Sequence, residues 1–206
     1  ERASNAPETL WVHAGGSYEL PFGYLSVTAT GLEYDAQNPG SLSEELLAED
    51  RRQAVANNIR QGAGKEGHQY QLGATLRSLV GPGELELNAY GINREISNPI
   101  PATIIDLDRD VFGVRGLYRV TAGPGGVALG AEVATQRDGR INFANEQGER
   151  GDVTLEQDET VDDIALFGQA TMRLLGPITL LGGLRYDWYR FSADDRLVSE
   201  SDPDDS

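Results

Sequence analysis

Apolar residues fall on every second position through most of this chain, in segments divided by two unlike kinds of connection. Segment 178–191 shows it best. Ile178, Leu180, Gly182, Leu184, Tyr186 and Trp188 share one face of an extended chain, and Thr179, Leu181, Gly183, Arg185, Asp187 and Tyr189 share the other. A period of two is the signature of a strand with two different faces. Segment 161–174 repeats it, with Ile164, Leu166, Ala170, Met172 and Leu174 opposite Asp163, Gln169, Thr171 and Arg173. So do 127–137 (Val127, Leu129, Ala131, Val133), 110–120 (Phe112, Val114, Tyr118, Val120) and 68–80 (Tyr70, Leu72, Ala74, Leu76). Segments 84–95, 9–19 and 24–34 follow the pattern more weakly. Together they predict eight antiparallel strands in four up-down hairpins.

Short Gly/Pro turns alternate with long polar connections. The turns are Leu20-Pro21-Phe22-Gly23, Gly81-Pro82-Gly83, Ala122-Gly123-Pro124-Gly125-Gly126 and Leu175-Gly176-Pro177. The polar stretches are 35–66, 96–109, 138–160 and 193–206. Tight turns at one end and long loops at the other are the rhythm of a transmembrane β-barrel. Strands of 11–14 residues exceed the globular norm of about 5–6 and suit a tilted membrane crossing of about 9–11 with overhang. The alternation alone fits a soluble sandwich equally well; strand length and loop asymmetry favour the barrel. One helix is expected inside the first long stretch, where Ser41-Leu42-Ser43-Glu44 has capping-box spacing ahead of Leu46, Leu47 and Ala48, and it should stop before Asn57-Asn58.

Composition narrows the picture. The 206 residues carry a net charge of −16 and 39% hydrophobic residues, with a mean hydropathy of −0.41. No apolar run reaches the roughly 18 residues of a membrane helix, and low mean hydropathy is compatible with a barrel because only alternate residues meet lipid. The acidic balance excludes nucleic acid as an expected partner. Cysteine is absent, which removes disulfides, thiolate metal sites and a cysteine nucleophile. Glu1 to Pro7 has neither the basic start nor the apolar core of a signal peptide, and the chain is expected to be an internal piece of a longer one.

Several motifs weaken on inspection. Asp106-x-Asp108-x-Asp110 begins like a calcium loop, but Val111 stands where Gly belongs and Leu117 where Glu belongs. The carboxylates Glu156, Asp158, Glu159, Asp162 and Asp163 read as charge that keeps an external loop hydrated. Gly62-Ala63-Gly64-Lys65 lacks the spacing of a phosphate loop. His13 and His68 are the only histidines, and neither has a neighbour at metal-ligand spacing. No cofactor, no metal and no catalytic residue is expected, and the chain reads as a non-enzyme.

Phe167-Gly168-Gln169-Ala170, the turn Leu175-Gly176-Pro177 and then Gly183-Leu184-Arg185-Tyr186-Asp187 resemble the barrel of TonB-dependent outer-membrane receptors. Asn98-Pro99-Ile100-Pro101 through Ile105-Asp106-Leu107-Asp108-Arg109, and Asn38-Pro39-Gly40-Ser41-Leu42, resemble ferric-complex receptors of that family. The resemblance implies that residues 1–206 are part of one β-barrel domain, about eight strands of a 22-stranded barrel. The plug domain, the TonB-gripping box and the C-terminal strands would lie elsewhere. It also implies a monomer in the outer membrane of a Gram-negative bacterium, surrounded by outer-membrane lipid, that takes up a ferric siderophore or similar iron complex through TonB.

Within that frame Arg94, Phe143, Asp187 and Tyr189 are the candidate ligand contacts, because planar chelates stack on aromatics and bind guanidinium forks. The lumen-facing arginines Arg77, Arg115, Arg119, Arg173 and Arg185 have two readings. They guide an anionic chelate, or they pair across strands with carboxylates such as Glu132, Asp163 and Asp187. Two alternatives stay open: a small closed eight-stranded structural or adhesion barrel, and a soluble β-barrel with a small ligand inside, whose apolar residues would face inward.

Overall fold

The computed structural model describes residues 2–197. They form one eight-stranded antiparallel sheet in simple sequence order. The strands are β1 (Pro7–Leu20), β2 (Gly23–Gln37), β3 (Gly64–Val80), β4 (Gly83–Ile100), β5 (Thr103–Ala122), β6 (Gly125–Glu146), β7 (Glu149–Arg173) and β8 (Thr179–Asp195). Among the described residues β1 pairs only with β2 and β8 only with β7, so the sheet is open.

Each expected tight turn is present. Leu20 pairs with Gly23, Val80 with Gly83 and Ala122 with Gly125, and the β7–β8 turn closes through Leu174 N–H donating to the Ile178 carbonyl at 2.9 Å. The other end departs from expectation. Stretches 96–109 and 138–160 are not loops: β4 and β5 run on to a two-residue turn at 101–102, and β6 and β7 run on to one at 147–148. There Gln147 and Gly148 both have positive φ, 61° and 94°, as a tight hairpin turn that matches strand twist requires. The polar stretches hold enough β-branched and aromatic residues (Ile104, Ile105, Ile141, Phe143, Val153) to extend the ladder, even though polar residues occupy much of both faces. The strands therefore reach 14–25 residues, well beyond a membrane crossing of about 9–11, and the surplus lies at the long-connection end.

Among the described residues, 38–63 is the long excursion from the sheet. It holds two short helices, α1 (Glu44–Glu49) and α2 (Ala56–Arg60). Ser43, not Ser41, caps α1, accepting from Leu46 N–H at 3.4 Å; α1 stops before Asn57-Asn58 as expected, but that pair lies in a second helix, α2. Arg2 pins this segment at one end by donating to the carbonyls of Gly40 (2.9 Å) and Gln53 (3.1 Å). At the other end Asn145 Nδ2 donates to the carbonyls of Gln61 (2.8 Å) and Ile100 (2.9 Å), and Gln147 N–H donates to Gln61 Oε1 at 2.9 Å. The excursion thus passes over the β4–β5 tip to the β6–β7 tip.

Register sorts the two faces without ambiguity. Partners across an antiparallel ladder point the same way, so one row runs Val27, Ala74, Ala89, Val114, Val133, Ile164 and Trp188 from β2 to β8. This apolar belt is open to its surroundings: Leu72 is 59% exposed, Leu129 60% and Leu184 87%. Leu117, Asp138 and Ala165 are buried on the opposite face, while on the belt side Ile104 is buried only beyond the belt, beside the β4–β5 tip. Crowding on one face and exposure on the other mean that the sheet curls around its polar side. A soluble barrel would bury the belt, so that alternative is reversed here, and the unpaired β1 and β8 do not describe a closed eight-stranded barrel.

Candidate functional site: the inner wall

Glycines let large side chains lie flat on the inner face. A Cβ on Gly113 would sit 2.4 Å from the Tyr90 ring, and one on Gly130 would sit 2.3 Å from the Phe167 ring. Both glycines stand directly across the ladder from those aromatics. Above the level of the apolar belt, a polar row crosses this wall: Gln69, Arg94, Arg109, Asp138 and Glu159 on β3 to β7. On each side of it lies a mixed row, apolar on β4 and β5 and polar on β6 (Gln136 on one side, Arg140 on the other). Ile92, Val111 and Val161 run toward the tight turns, and Ile96 and Leu107 toward the long-connection end.

Asp138 is the buried anchor, 3% exposed. It accepts two hydrogen bonds from the Arg109 fork, with Nε to Oδ1 at 2.8 Å, and a third from Gln136 Nε2 at 3.0 Å. Those bonds favour the charged guanidinium and raise the pKa of Arg109. Arg94 stands beside Arg109 in register, and its Nε is buried without a hydrogen-bond partner. Two further side-chain atoms share that condition, Tyr34 Oη and Asp163 Oδ1. All three residues lie on the inner wall.

Nearer the tight turns the wall is paired with itself. Arg77 donates to Glu86 at 2.9 Å, Arg119 lies 3.6 Å from both Glu84 and Glu86, and Arg185 reaches Asp187 at 2.7 Å and Glu132 at 3.4 Å. Arg115 sits 4.8 Å above the Phe167 ring and Arg185 5.5 Å from it. Arg173 shares the face at the tight-turn end of β7. For Arg77, Arg119 and Arg185 the geometry is that of cross-strand pairing in a wet interior.

The four candidate ligand contacts are not brought together. Arg94, Asp187 and Tyr189 share the inner wall, with Asp187 held by Arg185 and Tyr189 on the edge strand. Phe143 is on the outer face, where the Arg150 guanidinium lies 5.8 Å from its ring. Arg150 also binds Asp106 at 2.8 Å. Asp106, Asp108 and Asp110 alternate along β5 on that outer face rather than folding into a loop. Glu156, Asp158 and Asp162 point outward from β7 while Glu159 and Asp163 point inward. No group of three or more possible metal ligands occurs among the described residues. Arg109 and Asp138 were not among the candidates, because their stretches read as loop, and Gln136, on the polar face of segment 127–137, was not singled out; only the continued alternation past the expected strand ends could have flagged the pair.

An ordered antiparallel sheet with an apolar exterior and a charged, concave interior is part of the wall of a large membrane-type barrel. The family model described as "TonB dependent receptor-like, beta-barrel" matches residues 14–206, and the chain belongs to that family. Among solved structures it resembles the ferric citrate transporter FecA in its unliganded form, with TM-score 0.81, 14% identity and 95% of this chain covered. It also resembles the ferric yersiniabactin uptake receptor FyuA from Yersinia pestis, with TM-score 0.67, 10% identity and 92% covered. The chain spans 31% and 34% of those two chains. No curated protein matches it.

Proposed function

We propose that this chain is part of the barrel wall of an outer-membrane receptor that takes up a ferric siderophore or similar iron complex, driven through TonB. The remaining strands, the plug and the TonB contact belong to the rest of that receptor. The observation that carries the reading is the inner wall, where Tyr34 Oη, Arg94 Nε and Asp163 Oδ1 are all left without a protein partner. A wall built only for structure satisfies its buried polar atoms. Here three lie on the face that lines the lumen, one of them on an arginine whose neighbour Arg109 is already neutralised by Asp138. Both neighbours in fold are named for ferric-complex uptake, which supports testing ferric chelates first.

The experiment is iron-dependent growth of a Gram-negative host that carries the intact receptor as its sole outer-membrane iron receptor. A panel of citrate-, hydroxamate- and aryl-type ferric chelates would be supplied, with Arg94→Ala beside the wild type. Growth on one chelate that the variant reduces supports the proposal. Surface-located receptor that rescues growth on none of them rejects it.

A further inference from the structure

A second feature lies on the inner wall at the tight-turn end, and its reading rests on the receptor proposal above. The chain as a whole carries a net charge of −16. Residues 111–131 and 164–186, which cover the tight-turn halves of β5 to β8, nonetheless hold no Asp or Glu and include Arg115, Arg119, Arg173 and Arg185. A cavity of about 400 Å³ at this end is lined by Arg119, Thr121, Gln169, Thr171, Arg173 and Thr179. Register puts all six on the inner face, over a floor of Gly126 and Ala128. Its volume is at the lower end of the range of about 300–1,000 Å³ for small-molecule pockets.

The nearest inner-face carboxylates are Glu84 and Glu86 on β4. Arg77 binds Glu86 at 2.9 Å, and Arg119 stands 3.6 Å from both acids. Those two arginines balance those two acids, and Arg173 is the surplus. It lies three strands from Glu84, about 14 Å by strand spacing, and Glu19 on β1 is further still. Across the ladder Arg173 faces Thr179. Toward the long-connection end the next inner-face acids are Glu132 and Asp187, in the row of Ala165, eight residues along β7 or about 27 Å away. Arg185 holds both. Arg173 itself is exposed and makes no ion pair among the described residues.

The lining thus offers two guanidiniums, three hydroxyls and one amide, and no carboxylate. A set so rich in donors suits a ligand with several anionic oxygens, and a concave surface of one sign concentrates the opposite ion. The Arg94 level is remote. Glu159, in the row of Arg94, is fourteen residues from Arg173 along β7, about 45 Å.

We infer that this cavity is an exit subsite that takes the carboxylate groups of the solute after it has passed down the lumen. The class it fits is a small polycarboxylate, or a chelate that presents free carboxylates. An uncharged chelate has no interaction with the surplus charge of Arg173.

The test uses the intact receptor in detergent, with citrate as the probe and its uncharged trimethyl ester beside it, titrated calorimetrically at fixed ionic strength. The wild type is expected to bind citrate and not the ester, and Arg173→Gln to bind citrate about ten-fold more weakly. Arg173→Lys, which keeps the charge and loses the fork, should fall between them. Arg150→Gln, on the outer face and paired with Asp106, should match the wild type. Heat-modifiable gel mobility checks that each variant is folded. Citrate bound no more tightly than the ester, as an acidic side chain already seated on Arg173 would cause, overturns the inference. So does citrate binding that Arg173→Gln leaves unchanged. The two readings fail separately: growth on the chelate panel reports on the receptor, while citrate binding indifferent to Arg173 rejects the exit subsite even in a receptor that supports growth.

Discussion

Arg109 grips Asp138 across the β5–β6 ladder with both arms of its guanidinium, one of them at 2.8 Å, and the carboxylate beneath is almost wholly enclosed. The pair is asymmetric: 1% of the Asp138 side chain is accessible against 30% of Arg109. Removing the acid strands a half-enclosed cation and leaves Gln136 without its acceptor. Asp138→Ala should therefore destabilise the sheet by about 2–3 kcal/mol. That is less than a fully buried pair would lose, because Arg109 keeps some access to water. Chemical denaturation of the intact receptor checks it, and a loss below about 0.5 kcal/mol would mean that the pair is not structural.

The neighbouring Arg94 should behave differently. Its Nε contributes no hydrogen bond to the wall, so Arg94→Ala should change barrel stability by less than about 1 kcal/mol, as substitutions that remove no structural contact do. If Arg94 contacts the solute, the same variant should weaken binding of an anionic ferric chelate to the intact receptor about ten-fold, as the loss of one charge-assisted contact implies. Equilibrium binding and denaturation on the same preparation separate the two effects. A stability loss with unchanged binding would reassign Arg94 to structure.

The two-fold periodicity specified strand number, strand order and the facing of the belt residues, because an antiparallel ladder converts alternation directly into sidedness. It was less informative where polar residues occupy both faces. Stretches 96–109 and 138–160 extend the ladder above the belt, and hydropathy carries no mark of that. For the same reason Arg109 and Asp138 went unseen, and Phe143 looked like a ligand contact although it stands on the outer face. Pairings such as Arg185 with Glu132, 53 residues apart, follow from register, which sequence constrains only once the strand ends are known.

Two contacts at Gln61 hold segment 38–63 to the β6–β7 tip, one from the Asn145 side chain to its carbonyl and one from Gln147 N–H to its Oε1. Asn145 donates to Gln61 and Ile100 and accepts from Gly148 N–H at 2.8 Å. Asn145→Ala removes all three and should loosen the segment by about 1–2 kcal/mol. Faster hydrogen exchange through α1 and α2, and faster tryptic cleavage at Arg51 and Arg52, would report it. Unchanged exchange would show that the Gln147–Gln61 and Arg2 contacts hold the segment without Asn145.

Gly130 and Gly182 form a matched test of inner-wall crowding. A Cβ on Gly130 meets the Phe167 ring at 2.3 Å and the Gly116 carbonyl oxygen at 2.8 Å, whereas one on Gly182 meets nothing within 4 Å. Gly130→Ala forces the ring off the wall, together with the Arg115 and Arg185 guanidiniums that lie over it. It should cost about 1–3 kcal/mol as an overpacking substitution. Gly182→Ala, on the belt face, should be neutral or slightly stabilising. Equal effects would remove the case for a tightly packed inner wall.

Asp108 supplies a pH dependence of unusual sign for a carboxylate. It lies on the outer face beyond the apolar belt, and partial burial, then the charges of Glu95 and Asp110, push its pKa upward. The folded sheet thus holds the Asp108 proton more tightly than the unfolded chain does. Its contribution is most favourable below the ordinary aspartate pKa and is lost as pH rises through the higher folded value. Asp108→Asn removes that loss. The variant should be more stable than wild type at neutral pH, by a few tenths of a kcal/mol up to about 1 kcal/mol given screening at a largely solvated site, and the gap should close as pH falls through the carboxylate range. Unfolding measured from pH 4 to 8 on both proteins decides it, since a gap that stays constant with pH would trace the gain to something other than the titration of Asp108.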